Sequence, residues 1–407
     1  MALLRPFRAL RPNPDRAAAV AAVPYDVVTT DEARSLAAGR PLSFLHVSRA
    51  EVDLPGGTGP YEAVVYERAK ENFASLIRDA PLVREQHESL YIYRLEADGH
   101  AQTGLAATFS LDEYDRDLIL KHEKTRKDKE DDRTRHILEL KAQTGPVFLT
   151  YRPSAEVEAL TSRVTGSQPA LLDFTADDGV RHAVWRATAG EAAALVAAFA
   201  RIPRLYIADG HHRAASAARA RQALRAGGSD AASPSDFFLA VAFPHDQVRI
   251  LAYNRVVKDL GGRTPGAVLE ALRRTHQVVP GAPVPERRGE VSMLLAGTWY
   301  SIALDRPATA TSPIATLDAS LLHDQVLGPI LGIGDITTDP RIDFVGGARG
   351  TAALEQAVGR GAAVAFSLYP VSVSDLMAVS DAGEIMPPKS TWFEPKLRDG
   401  LVIHEIA

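Results

Sequence analysis

Apolar residues along the chain fall into two rhythms, and each predicts a different element. Val65, Ala69, Phe73 and Leu76 recur every three or four residues, which puts one apolar face on a helix over 61–77. The same spacing predicts helices near 30–38, over 154–165 and 189–200, from 211 to near 227, at 266–275, near 317–330 and at 352–358. Short runs without that period read as strands: 44–47, 147–151, 205–208, 238–243 and 364–368. Segments 90–95 and 102–110 flank Asp98-Gly99, a strong hairpin signal, and Asp177-Asp178-Gly179 marks a second hairpin. The proline-punctuated stretch 3–28 reads as extended, with Val23-Pro24-Tyr25-Asp26-Val27-Val28 a strand end entering a turn. Gly227–Ser235 reads as a flexible connector, and the pattern changes near residue 255.

Length and composition narrow the class. A chain of 407 residues with 46% hydrophobic and 24% charged residues is a folded protein of two to three domains, neither a disordered chain nor a fibre. Its formal charge of -5 argues against a nucleic-acid or anionic-membrane partner and leaves room for a local basic pocket. The absence of cysteine excludes disulfides, thiolate nucleophiles and Cys-ligated metals, and it fits a reducing compartment, so a cytoplasmic protein is expected. Arg5, Arg8 and Arg11 stand among Pro6, Pro12 and Pro14 and are read as structure, not as a targeting peptide. The most apolar later segment, 183–202, is broken by Arg186, Glu191 and Arg201, so no transmembrane helix is expected.

Three places carry candidate chemistry, and each has a plain structural alternative. Asp209-Gly210-His211-His212-Arg213 joins a strand to a helix. Glycine lets a ligand approach the backbone, and the helix start points unpaired N–H groups and partial positive charge at an anion. The alternative makes Asp209 an N-cap, Gly210 a turn residue and the basic residues solvated; zinc is disfavoured because adjacent histidines point apart. His122-Glu123 opens the densest charge run, 121–135. An ionised Glu123 between Lys121 and Lys124 suits proton abstraction from an alcohol, or else it sits on a solvated helix start. Met386-Pro387-Pro388 stiffens the entry to Lys389-Ser390-Thr391, one cation and two hydroxyls that suit phosphate oxygens. The alternative is a rigid surface turn with Trp392 and Phe393 anchored in the core. Phosphate-loop, dinucleotide, nucleophile-elbow and zinc-protease signatures are absent.

Taken in order, His122-Glu123, Ile207-Ala208-Asp209-Gly210-His211-His212-Arg213 and Pro388-Lys389-Ser390-Thr391 resemble the three blocks of the free-serine kinases, in the superfamily that contains ParB partition proteins and sulfiredoxin. The resemblance spans about residues 118 to 400. The whole chain is also similar to a widespread bacterial family of unknown function through Val23-Pro24-Tyr25-Asp26, Phe44-Leu45-His46-Val47, His122-Glu123-Lys124-Thr125 and Lys389-Ser390-Thr391-Trp392-Phe393. Residues 1 to about 115 have no counterpart in the short kinases, and Lys121 and Lys124 flank Glu123 differently.

What the resemblance implies is an α/β fold: a mixed-sheet core of the ParB and sulfiredoxin type, an N-terminal α+β extension over 1–115, a nucleotide-binding core over 116–255, and a second α/β lobe over 256–407 whose Lys-Ser-Thr segment returns to the cleft. The implied activity is phosphoryl transfer from ATP or ADP, with Mg²⁺, to free L-serine or a similar hydroxyl metabolite. Glu123, with His122, would serve the acceptor hydroxyl. Gly210, His211, His212 and Arg213 would hold the nucleotide phosphates; Lys389, Ser390 and Thr391 would neutralise the transferred group; and Asp209 would position the metal or cap the helix. The rivals are a ParB-like protein that binds CTP, ATP or DNA without kinase activity, and a scaffold with a vestigial site. No helix-turn-helix supports the former.

Overall fold

A computed structural model describes residues 3–79, 81–226, 233–307, 309 and 312–406. The chain is a mixed α/β protein that divides into two compact units. The first comprises residues 1–121, 125–248 and 395–407, and the second residues 122–124 and 249–394.

The first unit is built on a nine-stranded mixed sheet. Its spatial order is Ile119–Leu120, Leu205–Asp209, Val147–Tyr151, Phe237–Pro244, His100–Ser110, Tyr91–Ala97, Arg181–Arg186 and Leu172–Thr175, with Leu4–Arg5 also paired to His100–Ser110. Leu205–Asp209 runs parallel to Ile119–Leu120, and Val147–Tyr151 parallel to Phe237–Pro244; the other pairs are antiparallel. Ala97 pairs with His100 across Asp98 and Gly99, whose φ values of 51° and 72° are those of the primed turn that the Asp-Gly signal predicts. All eight residues of Phe237–Pro244 are buried, as expected of an uninterrupted apolar run. Helices form where the spacing predicts them, at Ala63–Arg78, Ala155–Ser167, Ala189–Phe199 and His211–Ala226, the third opened by a capping box of Thr188 and Glu191. A second core cluster joins Leu10, Val20, Phe44, Val65 and Phe73 of the N-terminal third to Ile403 near the C-terminus.

One reading of the sequence is corrected and another gains detail. The strand expected at 44–47 is a short helix, Leu45–Ser48. Ser43 Oγ accepts the Leu45 N–H and turns the chain, and the buried Phe44, Leu45, Val47 and Ser48 form one face of that turn; a run of four residues cannot by periodicity tell this from a strand. The charge run 121–135 leads into the helix Lys127–Leu140, whose start at Lys127 and Asp128 is exposed, as expected, while its inner face buries Asp132 and His136. Asp132 accepts from Tyr66 Oη and Arg133 Nε, both at 2.7 Å, while His136 Nε2 meets the Val47 carbonyl at 3.0 Å, its basicity lowered to about 3 by burial and Arg133. Residues 227–232 of the expected connector lie outside the described residues.

The second unit holds a six-stranded antiparallel sheet in the order Val278–Pro280, Thr298–Ala303, Glu290–Leu295, Val364–Leu368, Tyr253–Val257 and Ile342–Gly346. Its core includes Val257, Leu272, Met293, Leu322 and Phe366. Helix Pro265–Thr275 begins with proline in its first turn and with Thr264 Oγ1 accepting the Ala267 N–H. Among the described residues, no helix is long and apolar enough to cross a membrane.

Candidate functional site

Leu205–Asp209 is buried up to its last residue, and its register against Val147–Tyr151 shifts between Ile207 and Asp209. Such an irregularity re-aims the side chain that follows it, here Asp209. Gly210 then takes φ 90°, a backbone conformation in which a side chain is strained, and a Cβ there would touch the Arg213 guanidinium and the Val147 Cα at 3.4 Å. Helix His211–Ala226 starts at the next residue, with the Ala214 N–H returning to the Gly210 carbonyl. Strand, positive-φ glycine and helix start thus follow one another directly, as the sequence suggests.

The carboxylate beside that helix start is strongly held. Asp209 Oδ1 accepts the Gly210 N–H at 3.0 Å and Oδ2 accepts from Lys396 Nζ at 3.1 Å. Burial alone would raise its pKa, but Lys396, Arg213 and His211 outweigh burial and keep it well below the usual carboxylate range. His212 Nε2 accepts the Arg126 N–H at 3.0 Å, and His211 is buried. Arg213, 9% exposed, donates from Nη1 to the Pro146 carbonyl at 2.5 Å and lies 3.5 Å from Asp26; its Nε has no hydrogen-bond partner among the described residues.

Behind Arg213 lies a second carboxylate. Asp399 is pinned by backbone bonds in both directions with Ala22, and Gly400 N–H donates to the Thr144 carbonyl. Its side chain is 3% exposed, Oδ1 lacks a partner among the described residues, and a Cβ on Gly145 would fall 2.3 Å from that atom. Burial pushes the Asp399 carboxyl up to about 7, with Arg213 and Arg133 opposing and Asp26 adding to the rise. A cavity of about 30 Å³, room for a water or two, is bordered by Tyr25, Arg133, His136, Thr144, Arg213 and Asp399.

The remaining candidate residues belong to the second unit. His122 is buried, Glu123 half-buried, and the His122 carbonyl accepts the Met386 N–H at 2.8 Å, so this pair lies against the segment that carries Lys389, Ser390 and Thr391. Lys389 is exposed with φ 56°, an uncommon conformation for a side-chain-bearing residue, and its Nζ stands 5.5 Å from the Tyr253 ring centre. Ser390 is buried with Oγ donating to the Pro387 carbonyl at 2.6 Å; Thr391 is half-buried. The strand Trp392–Glu394 pairs with Arg249–Leu251, Phe393 is 1% exposed, and Trp392 packs edge-on against Tyr253. Lys389, Ser390 and Thr391 therefore sit on a rigid turn anchored by Phe393.

Residues 4–320 match the family described as "Protein of unknown function (DUF1015)". The chain belongs to the DUF1015 family. No curated protein matches it. Among solved structures, this DUF1015 protein is similar to a free serine kinase in complex with AMP, at 13% identity and a TM-score of 0.36 over 73% of this chain and 92% of the other. It is also similar to a conserved hypothetical protein from Pyrococcus furiosus, at 14% identity and 0.35 over 73% and 94%. SbnI with a C-terminal truncation, from Staphylococcus aureus, matches at 14% and 0.37 over 73% and 86%.

Residue patterns alone missed several members of the first-unit cluster in this DUF1015 chain. Lys396, Asp399, Arg133 and Gly145 stand in no motif of their own, and only folding brings them to Asp209 and Arg213. Asp26 was visible within Val23-Pro24-Tyr25-Asp26 without a stated partner. Lys121, which the sequence sets beside Glu123, pairs with Asp117 at 3.0 Å and lies over the Tyr114 ring.

Proposed function

We propose that this protein is a small-molecule kinase that transfers a phosphoryl group from ATP or ADP, with Mg²⁺, to the hydroxyl of free L-serine or a similar metabolite, within a ParB and sulfiredoxin-like fold. The observation that carries the reading is the end of strand Leu205–Asp209: a positive-φ glycine opening a sixteen-residue helix beside a carboxylate kept ionised by Lys396. The donor set fits a metal-bound polyphosphate. Helix-start N–H groups and cations suit phosphate oxygens, and a Mg²⁺ ion is commonly held by one or two carboxylates together with substrate phosphates, a role open to Asp209. When bound, Mg²⁺ would supply neutralisation of phosphate charge.

The roles follow from the chemistry of each group. The Gly210 backbone, His211, His212 and Arg213 bind phosphate oxygens, with Arg213 fixed in place by Pro146 and Asp26. Lys389, Ser390 and Thr391 balance charge on the transferred group. Glu123, supported through the His122 backbone, takes the acceptor proton. Phosphoryl transfer needs positioning and charge stabilisation above all, which these groups supply.

Incubation with ATP, ADP or CTP and a pool of hydroxyl metabolites, followed by phosphorus NMR, tests the reading. A new phosphomonoester is expected, and Glu123→Gln should lower its rate by about 10²–10⁴-fold with nucleotide affinity retained. Nucleotide binding without any phosphomonoester would overturn the kinase in favour of a nucleotide-binding protein.

A further inference from the structure

Asp399 has no part in the reaction proposed above, yet it is buried beside Arg213, which has one. Both residues border the same small cavity of about 30 Å³, and both belong to the first unit. The segment that carries Asp399 is clamped. Arg398 Nε donates to His182 Nε2 at 3.2 Å, and the Asp399 backbone exchanges hydrogen bonds with Ala22 at 2.9 and 3.2 Å. Gly145, where a Cβ would collide with the carboxyl, closes a further side. An ionised carboxyl held here meets protein groups instead of water.

The cations that stand there already have acids of their own. Helix Lys127–Leu140 supplies Arg133 and His136, but Arg133 is paired with Asp132 at 2.7 Å, and burial with Arg133 holds His136 neutral by lowering its pKa to about 3. The turn after Val23 supplies Tyr25, its phenol kept protonated by burial and Asp26, and Asp26 itself, whose Oδ1 lies 3.5 Å from Arg213 Nη2. The border at 143–145 adds the neutral Gln143 and Thr144. On the segment of Asp399, Lys396 is bound to Asp209 and Arg398 to Asp178. Arg213 therefore faces three carboxyl groups, Asp26, Asp209 and Asp399, and a proton on Asp399 removes the charge of one of them. Burial pushes that carboxyl up to about 7, against Arg213 and Arg133, so its proton leaves within the neutral range.

We propose that the proton on Asp399 regulates anion binding at Arg213: with the proton in place the guanidinium charge is available to a nucleotide phosphate, and with the proton gone the ionised Asp399 offsets that charge and weakens the phosphate's hold. The inference rests on the nucleotide reading of the first-unit site for the identity of the anion. Linkage makes the effect reciprocal. A bound anion raises the proton affinity of Asp399 by the same factor by which ionisation of Asp399 lowers anion affinity, so binding near neutral pH takes up a proton from solvent.

The test uses the full chain and metal-free ADP, titrated by calorimetry from pH 6 to 8.5 in buffers of different ionisation enthalpy, which reports affinity and proton uptake together. For a coupling of about tenfold, within the range of linked sites, wild-type affinity should fall about sevenfold more than that of Asp399→Asn across this range, and binding should take up about half a proton more near pH 7.5. Protons exchanged by ADP, His211 and His212 are common to both proteins and cancel in the difference. Asp26→Asn leaves the buried carboxyl in place and removes a neighbour that raises its pKa, so the maximum of proton uptake should move to lower pH. If Asp399→Asn fails to fold, that displacement decides alone. Parallel pH profiles in wild type and Asp399→Asn, or a maximum unmoved by Asp26→Asn, overturn the inference, while ADP binding leaves the nucleotide reading standing. No ADP binding by the folded wild type at any pH overturns both. Linked proton uptake without a phosphomonoester in the NMR assay supports the inference and refutes the kinase.

Discussion

Asp399→Asn is the sharpest probe of the first unit's buried charge cluster. The carboxyl is 3% exposed, faces Arg213, Arg133 and Asp26, and is pushed from 3.8 up to about 7, mainly by burial. An acid whose pKa is higher in the folded than in the unfolded chain binds more protons when folded. Its stability contribution is full below about pH 4 and is lost as pH rises through 7. A rise of about three units is worth about 4 kcal/mol in total, of which about 3 kcal/mol is lost between pH 5 and pH 8.5. The amide does not titrate, so the variant lacks this loss, and its backbone stays pinned by Ala22. Urea denaturation of both proteins across pH 5 to 8.5 should show the stability difference moving by about 3 kcal/mol in favour of Asp399→Asn toward alkaline pH. The comparison subtracts carboxylates such as Asp209, whose lowered pKa acts in the opposite direction in both proteins. A difference that stays constant over this range would refute the reasoning, because Asp399 would then be ionised throughout.

Gly145→Ala places a methyl 2.3 Å from Asp399 Oδ1 and should destabilise by about 1–3 kcal/mol; Asp399→Ala in the same chain should relieve much of that cost, a coupling that denaturation of the double variant measures. Arg255 is 2% exposed, its Nη1 donates to the Tyr253 carbonyl, Nη2 has no partner among the described residues, and burial lowers its pKa to about 10. Arg255→Met removes a buried cation and fills similar space, so its Tm should hold or rise; a fall of more than about 4 °C would mean that the guanidinium is paired.

Much of the architecture was legible residue by residue. Asp98-Gly99 specified its hairpin because that dipeptide tolerates positive φ at both turn positions, and Val65, Ala69, Phe73 and Leu76 specified a helix because one face had to be buried. The Asp209-Gly210 junction was legible for the same reason: a glycine between an apolar run and a helical pattern marks a local change of backbone direction. These are short-range conditions, satisfied by neighbours in the chain. Tertiary structure alone decided the rest. Phe44 to Ser48 became a helix because its apolar residues share a face inside the second cluster, and Asp132 and His136 went inward from a charge-dense run because Tyr66 and the Val47 carbonyl were there to meet them. Lys396 reached Asp209 across 187 residues, and Asp399 reached Gly145 across more than 250, separations at which no local pattern carries information. Motifs therefore named the groups with chemistry, while the partners that set their charge came from strand pairing and burial that bring distant segments together.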